Sequence, residues 1–275
     1  FGPYSDYKCF EQVAQATSGA LSATGWADRP PSPLGANVGD SGTGMHTVIG
    51  ILAALVQRNV TGEGQMVEVA MQEAVLNLTR VRFTGTLTDG EPEPRQEFSG
   101  SAYTGGLGGL VPCAPGGLND YVYMMIPADN PGMFTAGMRA MGREDLIENP
   151  SFASPDARLE NAEELSGIIR DWASTREKRD VMAAFAGEGV PCGAVFDTSE
   201  VIKQPHLIER GMITEIDHPV RGRYPVIGCP VRLSESQVDI NRAPMYSEHS
   251  DEIFTTLGGL TQDEVDQLRQ ENVII

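Results

Sequence analysis

An aspartate stands inside a glycine-rich segment, directly before a long apolar run. Asp40 lies between Gly39 and the Ser-Gly-Thr-Gly sequence of residues 41–44, in NVGDSGTGMHTVIGILAAL. Aspartate is a favoured N-cap because its carboxylate accepts the free N–H groups of a first helical turn, and on local sequence alone that role is favoured over catalysis. The alternative is a nucleophile: an accessible carboxylate can attack a reactive carbonyl, and nearby backbone amides would stabilise the oxyanion.

A glycine run, TGGLGGLVPCAPGG at residues 104–117, is the second candidate. Its composition slightly favours a flexible linker. The functional alternative is a lid or oxyanion loop that closes over a bound substrate. The run contains no G-x-x-x-x-G-K-[ST] pattern, so it is not a P-loop.

Other polar residues each have a structural and a functional interpretation. Lys8 and Glu11 are three residues apart, which is typical of a surface pair on one helix face, although Lys8 could instead bind a phosphate. His46 lies in the apolar run, where a hydrogen-bonded core histidine is more common than a base. His249 stands at the start of a predicted helix, and a solvated cap region is the favoured role.

The elements that must position these residues follow from apolar spacing. A helix is predicted over 7–21, and a second helix over 44–59 is so apolar that we expect it to be buried on most sides. Residues 121–128 predict a strand and residues 190–197 a shorter one. Helices are predicted over 131–142, 157–173 and 175–187, and the tail ends in two helices, the second beginning with a capping box of Thr261 and Glu264.

Composition limits the classes of partner. The 275 residues are 40% hydrophobic and 21% charged, which is typical of a soluble globular protein. The formal net charge of −18 argues against nucleic acid and anionic membranes as partners. No apolar run reaches the length of about 18 residues that a transmembrane helix needs. The four cysteines and four histidines have no metal-ligand spacing, so we expect a cytoplasmic protein with reduced thiols and no metal site.

Several segments together resemble the family III CoA-transferases, also called the CaiB/BaiF family. They are GPYSDYKCFEQVAQATSGALSATG, GANVGDSGTGMHTVIGILAAL, GQMVEVAMQEAVLNL and APMYSEHSDEIFTTLG. Within that family the sequence is most similar to the formyl-CoA:oxalate CoA-transferases, and the resemblance covers essentially the whole chain. The family's polypeptide begins with a nucleotide-fold half. We therefore expect this chain, which opens without methionine, to lack roughly the N-terminal third of a longer protein.

The resemblance implies a role for each candidate residue. The nucleophilic aspartate of the family's G-D-S motif corresponds to Asp40. The K-x-x-E segment that lines the CoA and active-site cleft corresponds to Lys8 and Glu11, with Phe10 where the relatives carry tyrosine. The family's glycine loop corresponds to Gly105, Gly106, Gly108 and Gly109.

The implied reaction moves CoA from an acyl-CoA, such as formyl-CoA, to a small carboxylate, such as oxalate. It passes through an aspartyl anhydride and an aspartyl-CoA thioester, so that covalent catalysis divides one difficult exchange into easier steps. The resemblance implies CoA thioesters as substrates, with no permanently bound cofactor and no metal.

Two alternatives to CoA transfer remain, a racemase and an inactive fragment or subunit. The α-methylacyl-CoA racemases of the same superfamily use a histidine 30 residues before the aspartate as one half of an acid–base pair. In this chain the residue 30 positions before Asp40 is Phe10, which carries no proton to transfer, and this argues against racemisation. The other alternative is an inactive fragment, or a subunit that needs the missing N-terminal part.

The fold expected from these observations is α/β. It comprises part of a Rossmann-like large CoA-binding domain and a smaller αβ domain, joined by long linkers, and the resemblance implies an interlocked homodimer. The expected division is a large-domain portion at 1–85 with the catalytic aspartate, a linker at 86–99, a small domain at 100–195 with the glycine-rich loop, a second linker at 196–240 and C-terminal helices at 241–275 that return to the large domain.

Overall fold

The computed structural model describes residues 1–92, 95 and 107–274, and these form a mixed α/β protein with small antiparallel sheets. The chain divides into two compact units, Phe1–Val195 and Phe196–Ile275. The helices of the first unit are α1 (Glu11–Thr17), α2 (Asp40–Thr61), α3 (Met71–Thr79), α4 (Thr84–Asp89), α5 (Pro131–Ala140), α6 (Pro155–Glu160), α7 (Ala162–Ser174) and α8 (Lys178–Gly187), with 3-10 turns at Arg80–Phe83 and Glu144–Leu146. Its strands are β1 (Gly108–Pro112), β2 (Tyr121–Met125) and β3 (Cys192–Ala194).

The first two helices do not begin where apolar spacing predicts. Helix α1 begins at Glu11 instead of residue 7 because the backbone of Phe10 is extended, with φ −136° and ψ 172°. Lys8 therefore lies outside the helix, and the predicted pair of Lys8 and Glu11 on one helix face is wrong. Helix α2 begins at Asp40 instead of residue 44, so the Ser-Gly-Thr-Gly sequence belongs to its first turns.

Helices α1 and α3 share a small apolar core, and α2 packs against α3. A Cβ added to Gly42 would lie 2.7 Å from Leu78 Cδ1, and one added to Gly50 would lie 2.7 Å from Val67 Cγ1. These glycines let α2 approach α3 and the segment before it at close range. The buried members of this core are Ala14, Ala20 and Val75, with Val38 and Met71 packed against them.

Helix α2 exposes most of its large apolar side chains, so the prediction that it is buried on most sides is wrong for this structure. Ile49, Val56 and Val60 are 65%, 66% and 84% exposed. The helix packs through its glycines, and Gly42 is its buried residue. None of the described helices combines the length and the apolar character needed to cross a membrane.

A larger core surrounds the three-stranded sheet, whose order is β1-β2-β3. Both pairings are antiparallel, with Val111 opposite Val122 and Met124 opposite Cys192. Helix α7 packs against β1, and α8 packs against β2 and β3. This αβ arrangement contains the predicted strand at 121–128 and helices near the predicted positions. Its largest fully buried side chains include Phe134, Phe152, Phe185, Leu165 and Ile169.

A buried arginine joins two connecting segments of this core. The Arg158 guanidinium donates hydrogen bonds to the carbonyl oxygens of Phe152 (2.8 Å), Ala128 (2.8 Å) and Ala153 (3.4 Å). It also lies 4.1 Å from the ring centroid of Phe134. Burial lowers the pKa of Arg158 from its ordinary value. The charge is retained because carbonyl oxygens and an aromatic face replace water around it.

The second unit contains a β-hairpin and four helices among its described residues. Strand β4 (Ile213–His218) pairs antiparallel with β5 (Gly222–Ile227), so the segment predicted as the second linker contains a regular hairpin. The predicted capping box of Thr261 and Glu264 is confirmed. Hydrogen bonds from Arg242 hold the pKa of Glu248 at about 2. The helices are α9 (Thr198–Val201), α10 (Pro205–Glu209), α11 (Ser250–Thr256) and α12 (Gln262–Gln270).

Replacement of the buried arginine tests its role in the larger core. We expect Arg158→Leu to lower the free energy of unfolding by about 3 kcal/mol, because buried carbonyl oxygens lose their donors. The matched control is Arg170→Leu, since Arg170 makes an exposed ion pair with Glu163 at 2.7 Å. We expect the control to cost less than about 1 kcal/mol. Urea unfolding of both variants measures the difference, and equal losses would contradict the assignment.

Candidate active site

Asp40 lies in the first turn of α2 with its side chain exposed. The helical hydrogen bonds begin before it, since Ser41 N donates to Asn37 O at 2.9 Å. The N-cap is Gly39, so the predicted role of Asp40 as N-cap is wrong. Within the described part of the chain, the Asp40 carboxylate makes no hydrogen bond or ion pair, which leaves it available to a ligand.

The capping carboxylate is that of Glu11, which comes from a different helix. Gly39 N donates to Glu11 Oε1 at 2.9 Å, and Asp40 N donates to Glu11 Oε2 at 2.7 Å. The Glu11 side chain is buried, with 6% exposure. A negative group at a helix N-terminus satisfies free amides and interacts favourably with the helix dipole. Glu11 therefore fixes the backbone of Asp40 through its amide.

The surroundings of Glu11 favour its ionised form. Burial raises the pKa of Glu11, but hydrogen bonds from the Gln15 side chain and from the amides of Gly39 and Asp40 outweigh it. The net effect is a pKa below the ordinary value of 4.5. At neutral pH the cap is consequently a carboxylate, which accepts all of these hydrogen bonds.

The amides of the first turn are already hydrogen-bonded. Those of Gly39 and Asp40 are bound by Glu11. The next three donate to carbonyl oxygens of the turn: Ser41 N to Asn37 O, Gly42 N to Val38 O at 3.1 Å, and Thr43 N to Gly39 O at 3.2 Å. The hypothesis that these amides stabilise an oxyanion is therefore wrong for this arrangement. An oxyanion formed at Asp40 needs donors from outside the turn.

The glycines around Asp40 differ in what surrounds them. A Cβ on Gly39 would lie 3.1 Å from Glu11 O and 3.2 Å from Glu11 Cα, in tight contact with the backbone of α1. A Cβ on Gly42 would lie 2.7 Å from Leu78 Cδ1, so the Leu78 side chain would have to move. A Cβ on Gly44 would meet no atom within 4 Å. Since residues four apart share a helix face, the space at Gly44 lies beside Asp40.

The other predicted CoA-contacting residues lie just before α1. Lys8 and Phe10 are exposed, and the Phe10 side chain is 75% exposed. Phe10 directly precedes Glu11 in the sequence, and Lys8 stands three residues before it. Their contacts with CoA stay predictions.

Part of the predicted glycine loop at residues 104–117 is the strand β1. Gly105 and Gly106 lie outside the described residues, whereas Gly108 and Gly109 are the first residues of β1 and pair with Met125 and Met124. A Cβ on Gly108 would lie 2.6 Å from Met124 O, so its lack of a side chain is a packing requirement. The described contacts do not bring these two glycines to Asp40.

His46 is a hydrogen-bonded structural residue, as predicted. Its Nδ1 lies 2.7 Å from Gly42 O and its Nε2 lies 2.9 Å from Asn77 Nδ2. These partners require a proton on Nδ1 and a lone pair on Nε2, so neither nitrogen is left for catalysis. The residue that sequence analysis missed is Gln15. The feature of the sequence that could have indicated this residue is its position four residues after Glu11, on the same face of the helix.

Other parts of the described chain offer no comparable arrangement. Groups of three or more His, Cys, Asp or Glu that could bind a metal ion are absent from the described residues. A cleft of about 540 Å³ lies where α7 faces β1 and is lined by residues such as Leu110, Glu163 and Arg170. Asp40 and Glu11 are not among its lining residues.

Comparison with known proteins gives one consistent family. The family model described as CoA-transferase family III matches residues 1–250. A protein of Streptomyces avermitilis named formyl-CoA:oxalate CoA-transferase is 40% identical over 287 residues, which cover 99% of this chain and 69% of that protein. A protein of Streptomyces coelicolor with the same name is 41% identical, with 99% and 68% coverage.

A solved structure agrees with these matches. The crystal structure of a CaiB/BaiF family protein from Brucella suis superimposes with a TM-score of 0.74 at 25% sequence identity. The superposition covers 94% of this chain and 65% of the Brucella chain, so this chain spans slightly less than two thirds of that protein's length.

The pH dependence of stability tests the Glu11 cap. Because its pKa in the folded protein lies below 4.5, its stabilising contribution is present above that value and is lost as the pH falls through the folded-state pKa. We expect Glu11→Gln to lower the free energy of unfolding by about 1–2 kcal/mol at neutral pH. The deficit should shrink in acid, where Glu11 of the parent protein is protonated.

The control for this measurement is Glu73→Gln, an exposed position on α3. It should change the free energy of unfolding by less than about 0.5 kcal/mol at either pH. Denaturant titrations at neutral and acidic pH supply the comparison. A Glu11→Gln deficit that stays constant with pH would show that the ionised carboxylate is not the cap.

Proposed function

Because this chain belongs to the family III CoA-transferases, we propose that it transfers CoA from an acyl-CoA to a small carboxylate, with Asp40 as the nucleophile. The observation that carries this proposal is the exposed Asp40 carboxylate in a turn that Glu11 fixes, with open space at Gly44 beside it. Similarity to the proteins named formyl-CoA:oxalate CoA-transferase supports formyl-CoA as the donor and oxalate as the acceptor.

The first half of the proposed reaction loads CoA onto the protein. One Asp40 oxygen attacks the thioester carbonyl of the donor, the carbon–sulfur bond breaks, and a mixed anhydride and CoA thiolate are formed. The thiolate then attacks the aspartyl carbonyl of the anhydride. The donor acid leaves as its carboxylate, and Asp40 becomes an aspartyl-CoA thioester.

The second half reverses these bond changes on the acceptor. The acceptor carboxylate attacks the aspartyl-CoA carbonyl and expels CoA thiolate, which gives a second anhydride. The thiolate attacks the acceptor's carbonyl in that anhydride, so that acceptor acyl-CoA is released and the Asp40 carboxylate is restored. No proton is consumed in the cycle, because each step uses one anion as the nucleophile and releases another as the leaving group.

The residues of this chain have separate roles in that scheme. Asp40 forms the bonds, and Glu11 holds its backbone. Gly44 leaves the space into which the thioester approaches. We propose that Lys8 and Phe10 contact CoA or the acyl group, and that the predicted substrate-binding glycines, Gly105, Gly106, Gly108 and Gly109, belong to a separate part of the binding site. CoA thioesters act as substrates in this scheme, which needs no permanently bound cofactor.

We further propose that helices α1 to α3 belong to a Rossmann-like CoA-binding domain in an interlocked homodimer. The exposed apolar side chains of α2 support this, since an apolar face of this size is usually covered in a functional assembly. A cytoplasmic location is also proposed. It is supported by four free cysteines, because cysteines without disulfides are typical of reducing compartments.

Removal of the nucleophile is the direct test. We expect Asp40→Asn to lower kcat more than about a thousandfold while leaving the unfolding transition unchanged, because an amide does not attack a thioester at a useful rate. The matched control is Asp180→Asn, which changes an exposed aspartate in the first turn of α8. Hydroxylamine should trap an acyl-aspartate in the parent protein and in the control only. Substantial transfer by Asp40→Asn would exclude Asp40 as the nucleophile.

The space at Gly44 gives a second test. Replacing a helical glycine by alanine stabilises a protein by up to about 1 kcal/mol where the side chain has room. Gly44→Ala and Gly167→Ala both meet this condition, since neither Cβ would have a neighbour within 4 Å. We expect both variants to be as stable as the parent protein or more so, but Gly44→Ala alone to lose about tenfold or more in transfer rate. Equal transfer rates would show that the thioester does not use this space.

A further inference from the structure

A glutamine is fully buried behind the candidate active site. Gln15 lies on α1 and has 0% exposure. A buried amide is costly unless its donor and its acceptor are both hydrogen-bonded. Alanine or leucine would fill the interior of a small helical core without that requirement. The burial of Gln15 is therefore tolerated only if its hydrogen-bond partners compensate for the lost contact with water.

The nitrogen and the oxygen of the Gln15 amide are both hydrogen-bonded, to Glu11 and to the loop before Asp40. Nε2 donates to Glu11 Oε1 at 2.7 Å, across one turn of α1. Oε1 accepts from Leu34 N at 2.9 Å. Glu11 Oε1 also accepts from Gly39 N, and Oε2 accepts from Asp40 N. The amide thus sets the orientation of the capping carboxylate.

Gln15 also connects the two ends of the loop that precedes α2. Leu34 stands at the start of the sequence LGANVGD, and Asp40 stands at its end. The first end is bonded to Gln15 directly, and the second is bonded through Glu11. Rotation of Gln15 would release Leu34 and would also remove one hydrogen bond from the carboxylate that binds the Asp40 amide. The loop and the first turn of α2 are held as one unit by this pair of side chains.

We propose that Gln15 is a positioning residue for Asp40, acting through Glu11 to hold the first turn of α2 in the orientation that directs the Asp40 carboxylate at its substrate. The proposal rests on the proposed CoA transfer for its kinetic consequence. Its structural consequence, the hydrogen bonding of the Gly39 and Asp40 amides, is measurable without any activity.

The electrostatics of Glu11 agree with this geometry. Burial raises the pKa of Glu11, and the Gln15 hydrogen bond is foremost among the contacts that outweigh burial. Without the amide, Glu11 would become protonated at a higher pH and would lose acceptor capacity toward Gly39 and Asp40. Loss of Gln15 should consequently move the acid side of the activity profile to higher pH.

The first experiment uses Gln15→Met, which keeps the side-chain length and removes both hydrogen bonds. Its control is Gln72→Met, because Gln72 Nε2 donates to Thr17 O at the other end of α1 at 2.7 Å. Both variants are made in the intact protein. Amide hydrogen exchange is measured at Gly39 and Asp40, and kcat and KM for formyl-CoA are measured with oxalate as acceptor.

We expect Gln15→Met to speed exchange at Gly39 and Asp40 and to lower kcat about tenfold or more with little change in KM. Gln72→Met should leave exchange at these two amides and kcat as in the parent protein. Unchanged exchange at Gly39 and Asp40 in Gln15→Met would overturn the proposal. So would faster exchange there with an unchanged kcat in a parent protein that transfers CoA.

The second variant, Gln15→Glu, keeps the shape of the side chain and gives a pH test. An ionised carboxylate beside Glu11 repels it and cannot donate, whereas a protonated one donates as the amide does. We expect a loss of kcat of about tenfold or more at neutral pH and recovery toward the parent value in mild acid. A loss of the same size at both pH values would contradict the positioning role. This variant also replaces Gln15→Met if that protein does not fold.

The experiments distinguish rejection of the proposed CoA transfer from rejection of the positioning role of Gln15. If the parent protein neither transfers CoA nor yields a hydroxylamine-trapped acyl-aspartate, CoA transfer by this chain is rejected. Exchange at Gly39 and Asp40 in Gln15→Met and Gln15→Glu then decides the inference. Faster exchange at these amides in both variants supports it, and parent-like exchange overturns it.

Discussion

A buried carboxylate has to be hydrogen-bonded to remain ionised, and this requirement at Glu11 governs the candidate site. Its oxygens accept from the side chain of Gln15 and from the amides of Gly39 and Asp40. Those two amides belong to the start of α2, which has no side-chain cap of its own. The carboxylate of one helix and the amides of another therefore satisfy each other, and Asp40 lies where they meet.

The same constraint separates the glycines of the G-D-S-G-T-G segment into two kinds. Gly39 and Gly42 allow close packing, because a Cβ would press against Glu11 at the first and against the Leu78 side chain at the second. Gly44 has no such neighbour and leaves open space on the Asp40 side of the helix. The first-turn amides are occupied, so in the proposed reaction the segment supplies Asp40 and the space beside it, and the donors to an oxyanion come from elsewhere.

Local patterns predict many elements of this fold correctly. Strand β2, helices α5, α7 and α8 and the capping box of α12 follow from spacing and cap residues within each element. The starts of α1 and α2 do not follow in this way. Helix α2 extends back through Ser-Gly-Thr-Gly because Glu11, 29 residues upstream of Asp40, caps it. The exposure of Ile49 and Val56 was likewise unpredictable, since an apolar sequence does not say whether anything covers it.

Residue order alone was sufficient to identify the family, because motifs of several residues in a fixed order are a local property of the chain, and the proposal of Asp40 as nucleophile rests on the same motif. It was also sufficient to indicate His46 as a structural residue. Tertiary structure decided that Glu11 is the cap and that Asp40 is not. It also decided that Gln15 is hydrogen-bonded to both Glu11 and Leu34. A side chain would have room at Gly44 but would meet Leu78 at Gly42, and this too depends on the tertiary structure. These facts depend on which groups meet after the chain folds, and hydrogen bonds between residues far apart in sequence leave no periodic signal.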